Sequence, residues 1–159
     1  MAQKQEKTNA MRHLERENVP FGVRYYACED FIDGTHVADL LGLSYDSTFK
    51  TLVCTGKTGK HYVFVIPVAE ELDLKAAARS VGEKNVEMLH MKYLKEVTGY
   101  IRGGCSPIGM KKPFDTVIDD SCLLFDKIAL SGGSLGVQLT LSPADLIRVT
   151  HAKTEHISI

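Results

Sequence analysis

Residues 48–55 and 61–68 are two strand-like runs rich in β-branched and aromatic residues, with Phe49 and Leu52 (Val53 and Cys54 opposite) and Val63 and Val65 as their apolar positions. The turn sequence Gly56-Lys57-Thr58-Gly59 lies between these runs, so the pattern predicts a β-hairpin. Shorter runs rich in β-branched and aromatic residues predict further strands at 21–28, 86–88, 116–119, 127–130 and 137–141. Tyr25 and Tyr26 are adjacent in the first of these, so they face opposite sides and only one can be core. Helical spacing appears elsewhere. Met11 and Leu14 follow an N-cap at Thr8, and residues 36–41 stop at Gly42. Residues 73–81, with Asp73 as cap and three alanines, stop at Gly82, and residues 91–97 stop at Gly99. Ser142-Pro143 opens a last helix. Strands outnumber helices and read as mostly hairpin-linked. The expected class is α+β: one domain over 1–159, with a mixed, strongly curved, barrel-like sheet flanked by short helices.

Composition changes this picture little. With 159 residues, 44% hydrophobic and 25% charged, the chain can bury a core without disulfides or metal. A net charge of −1 gives no global attraction to nucleic acid, so contact with a polyanion must come from a local basic face. No apolar run approaches the ~20 residues that span a bilayer, and the N-terminal stretch MAQKQEKTNAMRHLEREN is polar, unlike a signal peptide. A cytosolic protein is expected, with neither membrane nor DNA as partner. Cys28, Cys54, Cys105 and Cys122 form no C-x-x-C pair, and the histidines show no H-x-x-x-H or H-E-x-x-H spacing. Free thiols, no metal and no cofactor are expected.

Three stretches carry candidate chemistry. Residues 98–112, TGYIRGGCSPIGMKK, set Gly103 and Gly104 before Cys105, Ser106 and Pro107 and end on Lys111 and Lys112. Glycines around a proline-fixed turn leave main-chain N–H groups exposed, and such groups can hold an anion or a developing oxyanion. Residues 131–136, SGGSLG, form a second glycine turn through Ser131, Gly132 and Gly133. Lys50 stands inside the first hairpin strand among residues that want burial, so its ammonium either snorkels to an edge or points into a polar cleft. Neither glycine loop matches a nucleotide-binding fingerprint.

F-K-T-L in the hairpin, T-G-Y-x-x-G-G-x-S-P-x-G-x-K-K in the loop and S-G-G before the last long strand resemble the YbaK family of aminoacyl-tRNA deacylases, relatives of the editing domain of bacterial prolyl-tRNA synthetases. The likeness runs from about Asn9 to the end of the chain. It implies metal-free removal of a wrongly attached amino acid, typically cysteine from proline tRNA, in which the substrate's own thiol attacks its ester. It makes Lys50 the essential strand lysine, Gly103, Gly104, Ser106 and Pro107 the substrate loop, Ser131, Gly132 and Gly133 the opposite wall, and Tyr26 a pocket tyrosine. Cys105 is then wall, not nucleophile. Residues 29–33 match the family pattern too loosely to carry a role. Ser134 and Leu135 replace the family's usual basic residues. Lys57, Lys60, Lys111 and Lys112 are the candidates for contact with the tRNA acceptor end, with a prolyl-tRNA synthetase as a further partner. A non-catalytic binding module on the same fold is the competing reading.

Overall fold

The computed structural model describes residues 7–159; residues 1–6, the start of the polar N-terminal stretch, lie outside the described residues. Five α-helices and eight strands follow in the order α1 (Asn9–Arg16), β1 (Gly22–Tyr25), α2 (Gly34–Leu41), β2 (Phe49–Gly56), β3 (His61–Pro67), α3 (Leu74–Val81), β4 (Val86–Met88), α4 (Leu94–Thr98), β5 (Asp115–Asp119), β6 (Ile128–Ser131), β7 (Val137–Leu141), α5 (Pro143–Thr150) and β8 (Lys153–Glu155). The helices begin where the sequence places caps. Thr8 Oγ1 accepts the Met11 N–H, Asp73 accepts from Lys75 and Ala76, and Ser142 accepts from Asp145.

The strands form two open sheets and do not close into the curved, barrel-like sheet expected from the sequence. One is antiparallel with order β1-β7-β6, the other mixed with order β4-β2-β3-β5-β8. Hairpins account for β2–β3 and β6–β7, whereas β3–β5 and β5–β8 are parallel. The sheet stays open because β2 and β6 share only the parallel bridge Thr48–Ala129 before they separate. A 3-10 turn at Asp120–Leu124 and the edge strand β8 have no counterpart in the sequence pattern. Lys153-Thr154-Glu155 has no apolar side to signal a strand, and it joins β5 through its main chain.

One core lies between the sheets. Phe49, Val53, Val63 and Val65 from the hairpin meet Ile128, Leu130, Leu139 and Leu141 from β6 and β7, with Met11 and Leu14 of α1 among them. The opposite face of the hairpin, Cys54, Phe64 and Ile66, packs against Ala77 and Ala78 of α3. The hairpin therefore serves two cores, and β3, a near-continuous apolar run, has neither face left to solvent. Each fully buried side chain such as Phe64 or Leu139 contributes about 1.5–3 kcal/mol of transfer free energy.

Candidate active site

Where β2 leaves β6, a cleft of about 450 Å³ opens. Its walls come from β2 (Phe49 to Leu52), from the loop before α2 (Phe31 to Asp33), from Met88, Met91 and Leu94, and from Arg102, Gly103, Cys105, Ser131 and Gln138. The lining is mainly apolar with a few polar groups converging on it, the usual make-up of a small-ligand site.

Lys50 lines this cleft and is half-buried, so of the two alternatives open at the sequence level the cleft is the one realised. Strand alternation places it on the same face of β2 as Cys54, the face that packs against α3 further along the strand. Burial pushes its ammonium below the usual lysine value, and the carboxylates of Glu71, Asp33 and Glu70 offset this only in part. None of these comes within salt-bridge distance among the described residues. The cation is thus held without a direct counter-ion, available to an anionic or oxygen-rich ligand.

Gly103 and Cys105 form the facing wall. Gly103 has φ +82°, and a Cβ there would lie 2.7 Å from Leu135 and 2.9 Å from Phe31, so glycine is required on both conformational and steric grounds. The Gly104 N–H donates to Ile101 O at 2.9 Å and a Cβ at Gly104 would meet the Ser134 backbone, so this residue shapes the turn and its amide is not free for an oxyanion. Arg102, Gly103 and Cys105 line the cleft, and none of their main-chain N–H groups makes a hydrogen bond among the described residues. Arg102 stacks its guanidinium 3.9 Å from the centre of the Phe31 ring, tying the loop to the segment before α2. The Cys105 thiol is buried, and burial pushes it up to about 12 although a hydrogen bond from Thr98 works the other way. At neutral pH the thiolate is then only ~10⁻⁵ of the total, which disfavours a nucleophilic role.

Other expected site residues lie elsewhere. Ser106 and Pro107 are buried behind the loop, and Ser106 Oγ accepts the Ile108 N–H at 3.2 Å, which fixes the turn. Ser131 reaches the cleft and donates to Gly103 O at 3.5 Å, linking the two glycine loops. Gly132 instead donates to Val137 O within the β6–β7 hairpin, and Gly133 backs onto Thr8 and Tyr100. These two glycines support the wall from behind and do not line it. Tyr26 also lies outside the cleft lining: its N–H extends the β1–β7 pairing to Gly136 O, and burial raises its phenol's pKa. Lys57 and Lys60 sit exposed at the hairpin tip, roughly 23 Å along β2 from Lys50 at the usual strand rise. Lys112 is exposed beside the loop, and Lys111 donates to Glu96 O at 3.4 Å near the end of α4.

Phe31, Asp33, Arg102 and Gln138 belong to the cleft without having stood out in the sequence. Phe31 and Asp33 fall in the 29–33 segment whose family pattern is loose, and Arg102 stands within a motif marked by its glycines. Gln138 reads as a solvent-facing position of β7 yet is only 5% exposed, a buried amide that alternation alone does not announce.

A cleft with an unpaired cation facing main-chain donors defines a site that can orient an activated ester and stabilise its oxyanion. Similarity to known proteins agrees with that class. A family model, the aminoacyl-tRNA editing domain, matches residues 33–149, and the chain belongs to this family. It is 44% identical over 155 residues, 97% of this chain and 94% of the other, to a protein of Enterococcus faecalis named "Putative Cys-tRNA(Pro)/Cys-tRNA(Cys) deacylase EbsC". It is 25% identical over 117 residues, 71% of this chain and 70% of the other, to the multifunctional Ser/Thr-tRNA deacylase ProXp-y of Escherichia coli. A crystal structure described as "a putative trans-editing enzyme for prolyl tRNA synthetase" superposes with a TM-score of 0.81 over 95% of each chain at 22% identity, which establishes the shared fold.

Proposed function

We propose that this protein is a trans-editing deacylase that removes cysteine from mischarged tRNA, Cys-tRNA(Pro) first among its substrates. The observation that carries the reading is the placement of Lys50 across a largely apolar cleft from the Gly103–Cys105 main chain. The 44% identity to the Enterococcus faecalis protein supports the choice of cysteine.

An aminoacyl ester is already activated, so the protein has to orient it and meet the charge that develops on its carbonyl oxygen. In this reading the N–H groups of Gly103 and Cys105 serve that oxygen, each such donor being worth roughly 3 kcal/mol. Lys50 acts as a point charge on the terminal ribose or its phosphate. The cysteine thiol gives up its proton and its sulfur attacks the ester carbonyl. A C–S bond forms, the bond from the carbonyl carbon to the ribose oxygen breaks, and that oxygen takes up a proton. The products are free tRNA and a thiolactone, which water opens to cysteine. Cys105, with its thiol protonated, is a wall against which the substrate side chain packs.

No helix of the described residues is long and apolar enough to cross a membrane, and a cytosolic site of action fits a tRNA substrate. The few surface lysines give a weak, sequence-independent hold on the acceptor end. Selection of the tRNA body then falls to a synthetase partner, prolyl-tRNA synthetase first. The test is amino-acid release from a panel of tRNAs charged with cysteine, alanine, serine, threonine and proline. Release of cysteine well ahead of the others supports the proposal. Binding of every charged tRNA with release from none would instead make the protein a recognition module.

A further inference from the structure

The floor of the cleft is built from strand edges that no strand covers. In the β2–β3 ladder, Val68 N donates to Thr48 O and Gly56 N donates to Lys60 O, so even-numbered residues of β2 turn their main-chain groups toward β3. Odd-numbered residues turn theirs the other way, as the Leu89 N–H bonded to Val53 O confirms. On that side β4 reaches only Cys54 to Gly56, and β6 touches only at Thr48. The main-chain N–H and C=O of Thr51 and the C=O of Phe49 therefore lie outside both ladders, directed at the cleft that these residues line.

The edge of β6 mirrors this arrangement. Gly132 N donates to Val137 O, so in the β6–β7 register the main-chain groups of Ala129 and Ser131 turn away from β7, and Ala129 N is seen bonded to Ser47 O. Ser131 thus presents its N–H and C=O across the same split. Two side chains add to the set. Thr51 Oγ1 is buried with no hydrogen-bond partner. Gln138, 5% exposed, lines the cleft, and no hydrogen bond engages its amide among the described residues.

Buried polar groups left unpaired are costly, and natural proteins keep them where a ligand completes them. The split narrows toward the Thr48–Ala129 bridge, so its floor suits the small end of a substrate better than a nucleoside. The open groups include the carbonyl oxygens of Phe49, Thr51 and Ser131 and the Gln138 amide oxygen, and acceptors of this kind are completed by a donor-rich group such as an ammonium. We infer that the β2–β6 split is the subsite for the α-ammonium group of the aminoacyl ester. The Thr51 carbonyl and the Gln138 amide oxygen accept its N–H bonds, and Gln138 is the specificity-determining side chain. This rests on the deacylase reading and adds a substrate class: esters with a free α-amine, as against N-acylated or peptidyl esters. Asp33 is the competing acceptor at the cleft: its Oδ1 takes the His36 N–H at 3.0 Å and the Thr35 hydroxyl at 3.1 Å at the start of α2, Oδ2 has no partner among the described residues, and Asp33→Asn is therefore set against Gln138→Met in the test.

The experiment compares release from cysteinyl-tRNA and N-acetylcysteinyl-tRNA, each rate divided by its spontaneous rate, for the wild type, Gln138→Met, Thr51→Val and Asp33→Asn. Wild type is expected to prefer the free amine by at least 100-fold. Gln138→Met should cut that preference at least tenfold, mainly through KM for cysteinyl-tRNA. A merely structural role for Gln138 would lower both substrates together and leave the ratio intact, overturning the inference. Equal cleavage of the two esters by the wild type would overturn it as well. So would a preference that collapses in Asp33→Asn but survives in Gln138→Met and Thr51→Val. If cysteinyl-tRNA itself is not cleaved, the deacylase reading fails along with the subsite; cleavage without discrimination removes the subsite alone.

Discussion

Asp119 at the end of β5 and Lys50 in β2 are charged residues placed in strands that otherwise bury apolar side chains, and the fold treats them in opposite ways. Asp119 is 1% exposed, yet Oδ1 accepts the N–H groups of Ile157 and Ser158 at 2.9 and 3.1 Å, and Oδ2 accepts that of Ser121 at 3.3 Å. Burial pushes its carboxyl up, but the hydrogen bonds from Ser121, Ile157 and Ser158 outweigh that and hold it below the ordinary value. Asp120 and His156 stand close enough to complete a three-ligand cluster, but the oxygens of Asp119 are already engaged in pinning the C-terminal segment. Lys50 has the reverse balance, with its charged form disfavoured by burial and no partner at contact distance. A charge whose hydrogen bonds are complete holds the fold together, and one left incomplete marks where a ligand belongs.

The largest expected effect tests Lys50. Lys50→Met should lower deacylation at least 100-fold while the melting temperature at pH 7 stays the same or rises. The sign follows from linkage. A lysine whose pKa is lowered on folding binds fewer protons in the native state between its folded value and the unfolded ~10.4, so native stability rises with pH across that window. Removing the ammonium removes a cost present at neutral pH and flattens that rise, which melts at pH 7 and pH 10 would show. Near-wild-type turnover by folded Lys50→Met would place the chemistry elsewhere.

Asp119→Ala should do the opposite. Losing a charged acceptor that serves two buried N–H groups and one part-buried one costs about 2–4 kcal/mol, or a fall of roughly 5–15 °C in Tm for a chain of this size. Activity per folded molecule should be retained. Because the folded pKa is lowered, the stabilisation is complete above the unfolded value near ~3.9 and disappears as pH falls through the folded one. Acid melts should therefore separate wild type from Asp119→Ala above pH 5 and draw them together as pH falls below the unfolded value. A variant that melts normally but loses turnover would reverse the comparison.

How much of this was legible in the sequence differs between the same two regions. The hairpin, the capped helices and the α+β class follow from periodicity and end signals, because each is local. Lys50 stood out for the same reason, as an ammonium within an apolar run. Asp119 gave no signal, since its partners lie 38 and 39 residues further along the chain. The open sheets were missed because strand length and alternation do not say whether β2 and β6 keep pairing beyond Thr48. Gln138 went unnoticed because alternation assigns a face and not what covers it. The glycine loop was located, but which of its amides are open depends on the Gly104–Ile101 hydrogen bond, a matter of dihedral angles and not of residue type.

Cys105 gives a smaller effect that sharpens the contrast at Lys50, since both line one cleft. With its thiol raised to about 12, Cys105 offers surface and not charge. Cys105→Ala should keep cysteinyl-tRNA cleavage within about tenfold, a barrier change of ~1.4 kcal/mol. Cysteine release should stay well ahead of alanine release, because the attacking sulfur belongs to the substrate. Mass spectrometry of the enzyme under turnover should find no acyl group on Cys105. A covalent adduct there, or alanine release that depends on Cys105, would make the protein a cysteine hydrolase.

The smallest effect concerns the lysines outside the cleft. Lys111 and Lys112 follow directly on the loop that bears Gly103, while Lys57 and Lys60 lie at the far end of β2. A tRNA whose terminal adenosine enters the cleft brings its last phosphates past the loop, and reaches the hairpin tip only if the acceptor stem runs along β2. Removing one lysine–phosphate ion pair should reduce the slope of log KM against log salt by about 0.7–0.9. Lys111→Ala with Lys112→Ala should therefore raise KM severalfold at low salt and lower the slope by about 1.4–1.8, with kcat unchanged. Lys57→Ala with Lys60→Ala should change KM less than twofold. The reverse ranking would mean that the stem lies along the hairpin, and that the tip belongs to the RNA-binding surface although it stands apart from the chemistry.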